Sequence, residues 1–442
     1  MSSRPRLLAA CLHVLTCLSF STVLLAPRGA RAEKVLVKGD NWEVYTDGRV
    51  GAFLSWSVGD GQPISTGRMI NTPSGPMLEQ INGGGWLVST TDGTDTTQGN
   101  VNTMRIRSGY IGNTLGVGVR SEIYPGLKAS TYIQVWAVIE PDGRNKGTAI
   151  PADFRQGYGK LEGFWGSFLA GRTRTLFSRG GTDINVLYAH RWGVGMPNKI
   201  DSTGPTQGMV GFGVLGSGFA PGFIYGTPVL AGFQLNVGLF DPATMSAGAL
   251  TRTQLPRAEA EATFERPFGS LGKVVLFANG AYQKVYRAGA CTPTAETGAC
   301  DGTLAGVGYG ARLEVGPVHL GLAGHFGQGL GLNYALEQSP QAIDAQSNLR
   351  TFDGYYAQGQ VVLGKFDLFA GAGITRLFLT DYDKTQPQVS NVKNQIGING
   401  GVVYNLSENV HFDLEYMRAE SNWFLGEKQV LHNSTTGMTV NW

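Results

Sequence analysis

The sequence predicts an all-β fold, a transmembrane antiparallel β-barrel of about sixteen strands with short turns at one end and long loops at the other. Three observations lead there. Short segments alternate apolar and polar residues with period two, their connections take turns being tight and long, and no apolar run of 18 residues follows residue 33. Sixty-five glycines among 442 residues point the same way, because a glycine inside a helix costs about 1 kcal/mol relative to alanine. Charged residues make up 15% and mean hydropathy is near zero, which fits neither a disordered chain nor a helical membrane protein.

The N-terminus reads as an export signal over residues 1–32. Arg4 and Arg6 form a positive start, Leu7 to Leu25 is an apolar run, and Ala30-Arg31-Ala32 has the form of a signal-peptidase site. A retained membrane anchor is the alternative. Cleavage leaves a single domain, 33–442. Residues 1–32 hold four arginines and no acid, so 35 basic and 33 acidic residues become 31 and 33, a net charge of −2. Cys11 and Cys17 leave with the signal. Cys291 and Cys300 remain around a polar octapeptide and read as a disulfide stapling one loop, with two free thiols or half a metal site as alternatives.

Alternation identifies the strands. Phe366, Leu368, Ala370, Ala372 and Ile374 share one face against Asp367; Val410, Phe412, Leu414 and Tyr416 oppose His411, Asp413 and Glu415; Val318, Leu320, Leu322 and Phe326 oppose His319 and His325. Sixteen strands are expected at 42–57, 101–122, 127–140, 154–163, 167–172, 208–227, 231–240, 257–268, 273–286, 304–315, 318–327, 351–363, 366–380, 394–405, 410–418 and 428–442. An even number returns both termini to one side and lets the last strand pair with the first, which removes the open edges that lipid does not tolerate. Short connections such as Tyr124-Pro125-Gly126, Gly316-Pro317 and Gly364-Lys365 would lie in the periplasm. The long ones, at 58–100, 141–153, 173–207, 241–256, 287–303, 328–350, 381–393 and 419–427, would lie outside the cell. Trp42, Tyr45, Trp56, Tyr282, Tyr286, Phe378 and Tyr382 fall near strand ends, where aromatic girdles form.

The last strand ends TGMTVNW, with Met438, Val440 and Trp442 on one face, and resembles the terminal strand that outer-membrane barrels present to their insertion machinery, although phenylalanine is commoner there. The stretches DFRQGYGKLEGFWGSFLAGR (153–172) and LGKVVLFANGAYQKV (271–285) are similar to porin strand-turn-strand units. With the loop alternation, they make the chain resemble a Gram-negative outer-membrane general porin. The resemblance implies a water-filled channel in the outer membrane for small hydrophilic solutes and ions, surrounded by lipid, without cofactor or catalysis, and assembled as a homotrimer.

It also implies that the loop after the fifth strand folds inward and narrows the lumen. That loop and the strand end before it hold Arg172, Arg174, Arg179, Arg191 and Lys199 against the single acid Asp183. Arginines in a water-filled constriction stay charged and favour anions. Arg105 and Arg107, opposite Met104 and Ile106 in face, are the expected facing wall, and His411, Asp413 and Glu415 the expected distant lumen wall. Each arginine also has a bland reading as a solvated or paired residue.

Other functions find little support. Gly211 to Gly216 spells G-x-G-x-x-G without the helix and acid that would make it a nucleotide site, and the six histidines show no metal-ligand spacing. No basic stripe with interleaved aromatics suggests nucleic acid. A barrel lipid hydrolase would need a Ser/His pair at the lipid boundary, where His432 and Ser434 share a face. The nearer alternative is a channel selective for one anionic solute.

Overall fold

The computed structural model describes residues 33–63, 65–72, 75–81, 87, 99–137, 152–183, 208–243, 250–294, 298–335, 340–386 and 388–442. It is a closed antiparallel barrel of sixteen strands. After an edge strand β1 (Lys34–Lys38) come β2 (Trp42–Asp60), a separate hairpin of β3 (Ser65–Thr72) and β4 (Gly75–Gln80), and β5 (Asn100–Arg107) with β6 (Asn113–Tyr124), which together fill one position beside β2. The wall continues through β7 (Leu127–Ala137), β8 (Ala152–Gly163), β9 (Gly166–Arg174), β10 (Phe219–Gly226), β11 (Phe233–Phe240) and β12 (Arg257–Pro267). It is completed by β13 (Gly272–Tyr286), β14 (Asp301–Val315), β15 (Val318–Gln328), β16 (Thr351–Leu363), β17 (Phe366–Phe378), β18 (Val392–Asn405), β19 (Val410–Trp423) and β20 (Lys428–Asn441). β20 pairs with β2 from Arg49↔Asn441 to Gly59↔Leu431, so the ring has no free edge.

Period-two patterning decides which side of each strand meets lipid. On β19, Leu414 is 58% exposed and Glu415 2%, with Phe412 and Tyr416 outside and His411 and Asp413 inside. An exposed apolar face and a covered polar one is an ordinary strand turned inside out, as a barrel in lipid requires. The turns at Gly316-Pro317 and Gly364-Lys365 are two residues long, and Gly316 and Gly364 take φ of 54° and 62°, which a side chain disfavours. The final residue adds closure, since Trp442 and Gly48 exchange backbone hydrogen bonds of 2.9 and 3.1 Å.

Two expected strands are different in the structure. The stretch 208–227 is strand only over Phe219–Gly226, because Gly208, Gly211 and Gly213 take positive φ and break the pleat. Met209, Val210, Phe212, Val214 and Leu215 then bury themselves inside the barrel. The stretch 101–122 splits at Ser108-Gly109, where Gly109 has φ 87°. Smaller shifts lengthen β14 and β19 into what read as loop, and the hairpin β3–β4 stands where no regular structure was expected.

Apolar residues of the extracellular loops pack within the barrel rather than around it. Phe177, Leu215, Leu250, Leu330, Leu332, Ile343 and Leu349 join inward residues of β13–β19 in one cluster. Met209, Val210, Phe212 and Leu87 form a second with Val101, Tyr356, Phe369, Met417 and Leu431. Arg350 ties the outer layer together, donating to both carboxylate oxygens of Asp383 at 2.7 Å and to the carbonyls of Gln341 and Ile343.

Candidate functional site: the inward loop and the lumen wall

The connection from β9 to β10 leaves the wall and returns through a closed neck. Thr175 donates its backbone N–H to the Gly218 carbonyl at 3.0 Å, and Arg174 donates Nε to the Ser217 hydroxyl at 2.6 Å. Between these points the described residues lie against the inside of the barrel. Phe177 sits over Gly306, Gly180 over the Phe277 ring and Gly181 beside Ala323, so the departing limb runs across β13–β15. The returning limb seats Phe212 in a hollow that exists because positions 373 and 397 are glycines: an added Cβ would lie 2.1 Å from the Phe212 carbonyl oxygen and 2.7 Å from its Cβ respectively.

A single inward cross-strand row, polar but for two glycines, holds this loop and also Leu87 of the connection between β4 and β5. Glu261 of β12, Asn279 of β13, Gly308 of β14, His325 of β15, Gly354 of β16, Thr375 of β17, Gln395 of β18, Ser421 of β19 and Gln429 of β20 are successive partners. Arg179 forks onto Glu261, with Nε to the two carboxylate oxygens at 2.9 and 3.1 Å. Gly213 N–H reaches Thr375 Oγ1 at 2.9 Å, and Leu87 N–H reaches Gln429 Oε1 at 2.9 Å. One step toward the loops, Glu259 accepts the Phe177 N–H at 2.8 Å and pairs with Arg257 at 2.7 Å.

The arginines read from the sequence therefore separate. Arg172 pairs with Gly157 and Pro221, on the face shared with Phe168 and Phe223, whose rings stack outside the barrel. By register it belongs to the outer face, against the expectation of a constriction residue, because alternation along β9 runs unbroken from Phe168. Arg174 anchors the neck and Arg179 anchors the departing limb. Arg105 and Arg107 do project inward from β5, with Met104 and Ile106 outside. His411, Asp413 and Glu415 face inward on β19, and Arg49 of β2 faces inward with Thr439 as a partner. The side chain of Asp183, and the whole of Arg191 and Lys199, lie outside the described residues. Cys291 and Cys300 are joined by a disulfide, with Cα atoms 5.7 Å apart, in the loop between β13 and β14. His432 faces outward and its Nδ1 is 2.6 Å from the Tyr416 hydroxyl.

Glu259 and Glu261 were not singled out from the sequence, although Ala258 to Ala262 reads A-E-A-E-A. Two acids on one face of a strand that crosses lipid must point into the interior, and a buried acid asks for a cation from elsewhere in the chain. That was the available signal.

A closed barrel with apolar outside, polar inside and a loop folded across its interior defines a channel-forming outer-membrane protein. The model of the Gram-negative porins matches residues 36–422, and the chain belongs to that family. It is an outer-membrane diffusion channel. Among solved structures it is similar to the outer membrane channel DcaP of Acinetobacter baumannii, at 15% identity and TM-score 0.63 over 92% of this chain and 99% of that one. It is also similar to the anion-selective porin from Comamonas acidovorans, at 12% identity and TM-score 0.55 over 91% and 100% of the two chains. OmpF of Salmonella typhi in complex with daunomycin gives 10% and 0.51 over 92% and 99%. At these identities the likeness is one of fold. No curated protein matches the sequence.

Proposed function

We propose that this porin prefers anions, and that the preference comes from Arg105 and Arg107. The observation that carries the reading is the facing of β5. Arg105, half-buried, and Arg107, buried, enter the interior from it, while the inward acids of the β12 wall are paired, Glu259 with Arg257 and Glu261 with Arg179, and the inward acids Asp413 and Glu415 lie on β19, three strands away. The open path lies beside β8 in this reading. Its inward residues Gln156, Tyr158 and Lys160, with Trp136 of β7, keep partial exposure, while the inward residues Asp367, Thr375, Gln395, Asn399 and Thr435 of β17–β20 are covered. Guanidinium groups beside such a path stay ionised and lower the energy of a passing anion. The same arrangement supports selectivity for an anionic solute without requiring it.

Other parts of the reading rest on the sequence. Residues 1–32 are cleaved on export, the strand ending at Trp442 is read by the insertion machinery, and the protein assembles as a homotrimer. No catalytic step is assigned, and the outward His432 is engaged by Tyr416. Planar-bilayer recording in a salt gradient tests the anion preference. The reversal potential should take the sign of anion permeation at low salt and fade toward about 1 M electrolyte, where the screening length is about 3 Å. A cation-signed potential would refute it.

A further inference from the structure

The outer face of β16–β20 changes character with height. Toward the short turns the outward residues are Leu363, Phe366, Tyr404, Phe412 and Met438, all aliphatic or aromatic. Toward the extracellular loops the same five strands turn out a polar row in direct cross-strand register: Asp353, Arg376, Asn394, Asn422 and Lys428. Glu420 and Arg418 lie just below it on β19, on the outward face of Leu414 and Tyr416.

The row is built, not scattered. Arg376 forks onto Asp353, with Nε to Oδ1 at 2.8 Å, and its guanidinium lies 5.6 and 5.5 Å from the centroids of the Tyr355 and Phe378 rings. Glu420 accepts from both Arg418 at 2.6 Å and Lys428 at 2.9 Å. Asn422 donates to Asn394 at 2.8 Å and to Glu420 at 3.0 Å. One carboxylate thus holds two cationic heads side by side and neutralises only one of them. Lys428 remains 49% and Arg418 32% exposed on a surface that meets membrane.

Height identifies the partner. Arg418, the deepest member, is five residues from the end of β19 at Trp423, which is about 17 Å along a strand and less along the membrane normal because the strand is tilted. Counted from the short turn, it stands eight residues beyond Val410, about 27 Å along the tilted strand, which puts it near the outer edge of an apolar band about 25 Å tall, where outer-leaflet headgroups begin. A contact with a second copy of the chain would cover the strands through their height and give no reason for charge at one level only. An anionic headgroup on one side of the membrane does. We propose that Arg418 and Lys428, with Asn394 and Asn422 beside them, bind the phosphate of a lipid in the outer leaflet. A phosphate oxygen between two cations receives charge-assisted hydrogen bonds from each, and the Asn394 amide supplies a neutral one, held in place by Asn422, whose own two N–H groups go to Asn394 and Glu420.

The test uses the full-length protein in detergent with four additions: bisphosphorylated lipid A, the same lipid with its phosphates removed, phosphatidylglycerol and inorganic phosphate. Retention is read by native mass spectrometry and stabilisation by the temperature of the shift in electrophoretic migration. Bisphosphorylated lipid A should be retained, and the double variant Arg418→Gln, Lys428→Gln should bind it about tenfold more weakly. Conductance in bilayers, read separately, should not change in the variant, so failure here is distinguishable from failure of the channel reading. If glutamine prevents folding, Lys428→Arg keeps the charge and should keep the lipid. Equal binding of dephosphorylated lipid, or of wild type and the double variant, would overturn the proposal. Stabilisation by inorganic phosphate equal to that by lipid would make this a free-anion site instead, and protection of Lys428 from acetylation in lipid-free oligomers would assign the row to a contact between copies.

Discussion

Arg179 and Arg172 are seven positions apart and do different work because of what each meets. Arg179 reaches a carboxylate that is almost wholly covered by the wall, so Arg179→Met should leave Glu261 with a buried uncompensated charge. Breaking such a pair typically costs about 3–5 kcal/mol. Because the barrel's own ladder is untouched, the expected result is noisier single-channel current with unchanged heat-dependent migration on electrophoresis. Quiet current in the variant would mean the loop has other sufficient anchors. The facing of individual residues carries a second prediction. Phe412→Arg should impair membrane insertion by about 2–4 kcal/mol, whereas Asp413→Asn, one residue on and inside the lumen, should insert as the native chain does. Equal insertion of the two would place β19 one residue out of register. At this scale the sequence was informative wherever alternation was unbroken, since it separated Phe412 from Asp413 and Met104 from Arg105. It read Arg172 as the strand's last residue but turned it toward the lumen by the resemblance of the glycine-arginine exit, whereas the pairing with Gly157 and Pro221 puts it on the outer face of the pleat. The partners of Arg179 lie 82 residues away, beyond anything spacing can show.

Elements were legible in proportion to their chemistry. Tight turns and clean period-two strands follow from local sequence, and the sixteen positions follow from those. Residues 208–218 did not, because an apolar, glycine-rich stretch satisfies strand patterning as well as it satisfies an irregular segment buried inside a barrel; only the wall that receives it decides. The glycine hollow makes this testable. Gly397→Val would press on Phe212 and should cost about 1–3 kcal/mol through overpacking, displacing the returning limb and raising single-channel conductance. Unchanged conductance would show that the limb does not bound the open path. The extracellular cap answers to pH. Burial pushes the pKa of the Asp383 carboxyl up, but the Arg350 fork and the Thr380 hydrogen bonds outweigh it and hold the pKa below its ordinary value of 3.8. A depressed folded-state pKa gives stability that is present above the unfolded value and lost as pH falls through the folded one. Hydrogen-exchange protection of amides 380–386 should therefore persist through mildly acidic pH and fall only below the ordinary carboxylate range, while in Arg350→Ala it should be weak throughout. Loss of protection near neutral pH in the native protein would contradict this.

For the molecule as a whole, the barrel and its interior solve separate problems. Closure of β20 on β2 satisfies the backbone in lipid, and the outward apolar face needs nothing further from the sequence than its alternation. The interior is asymmetric. Loops fill the extracellular side along β13–β20 with two apolar clusters, the second reaching Val101 at the loop end of β5, and the inward arginines Arg105 and Arg107 lie further down that strand. Neither cluster could be read from the sequence, since both join residues from distant loops that are unremarkable locally. On the function proposed above, ion preference belongs to this β5 wall and not to the strand exit at Arg172. The reversal potential of Arg105→Glu, Arg107→Glu, recorded in planar bilayers at low salt beside that of Arg172→Glu, tests it most directly. At several Å in a medium of reduced dielectric, each reversed charge changes the energy of a passing ion by on the order of 1 kcal/mol, enough to alter permeability several-fold. The β5 double variant should move from anion toward cation preference, with Arg105→Gln, Arg107→Gln intermediate, while Arg172→Glu stays at the native value. An unmoved potential in the double variant, or an equal shift in Arg172→Glu, would contradict the assignment.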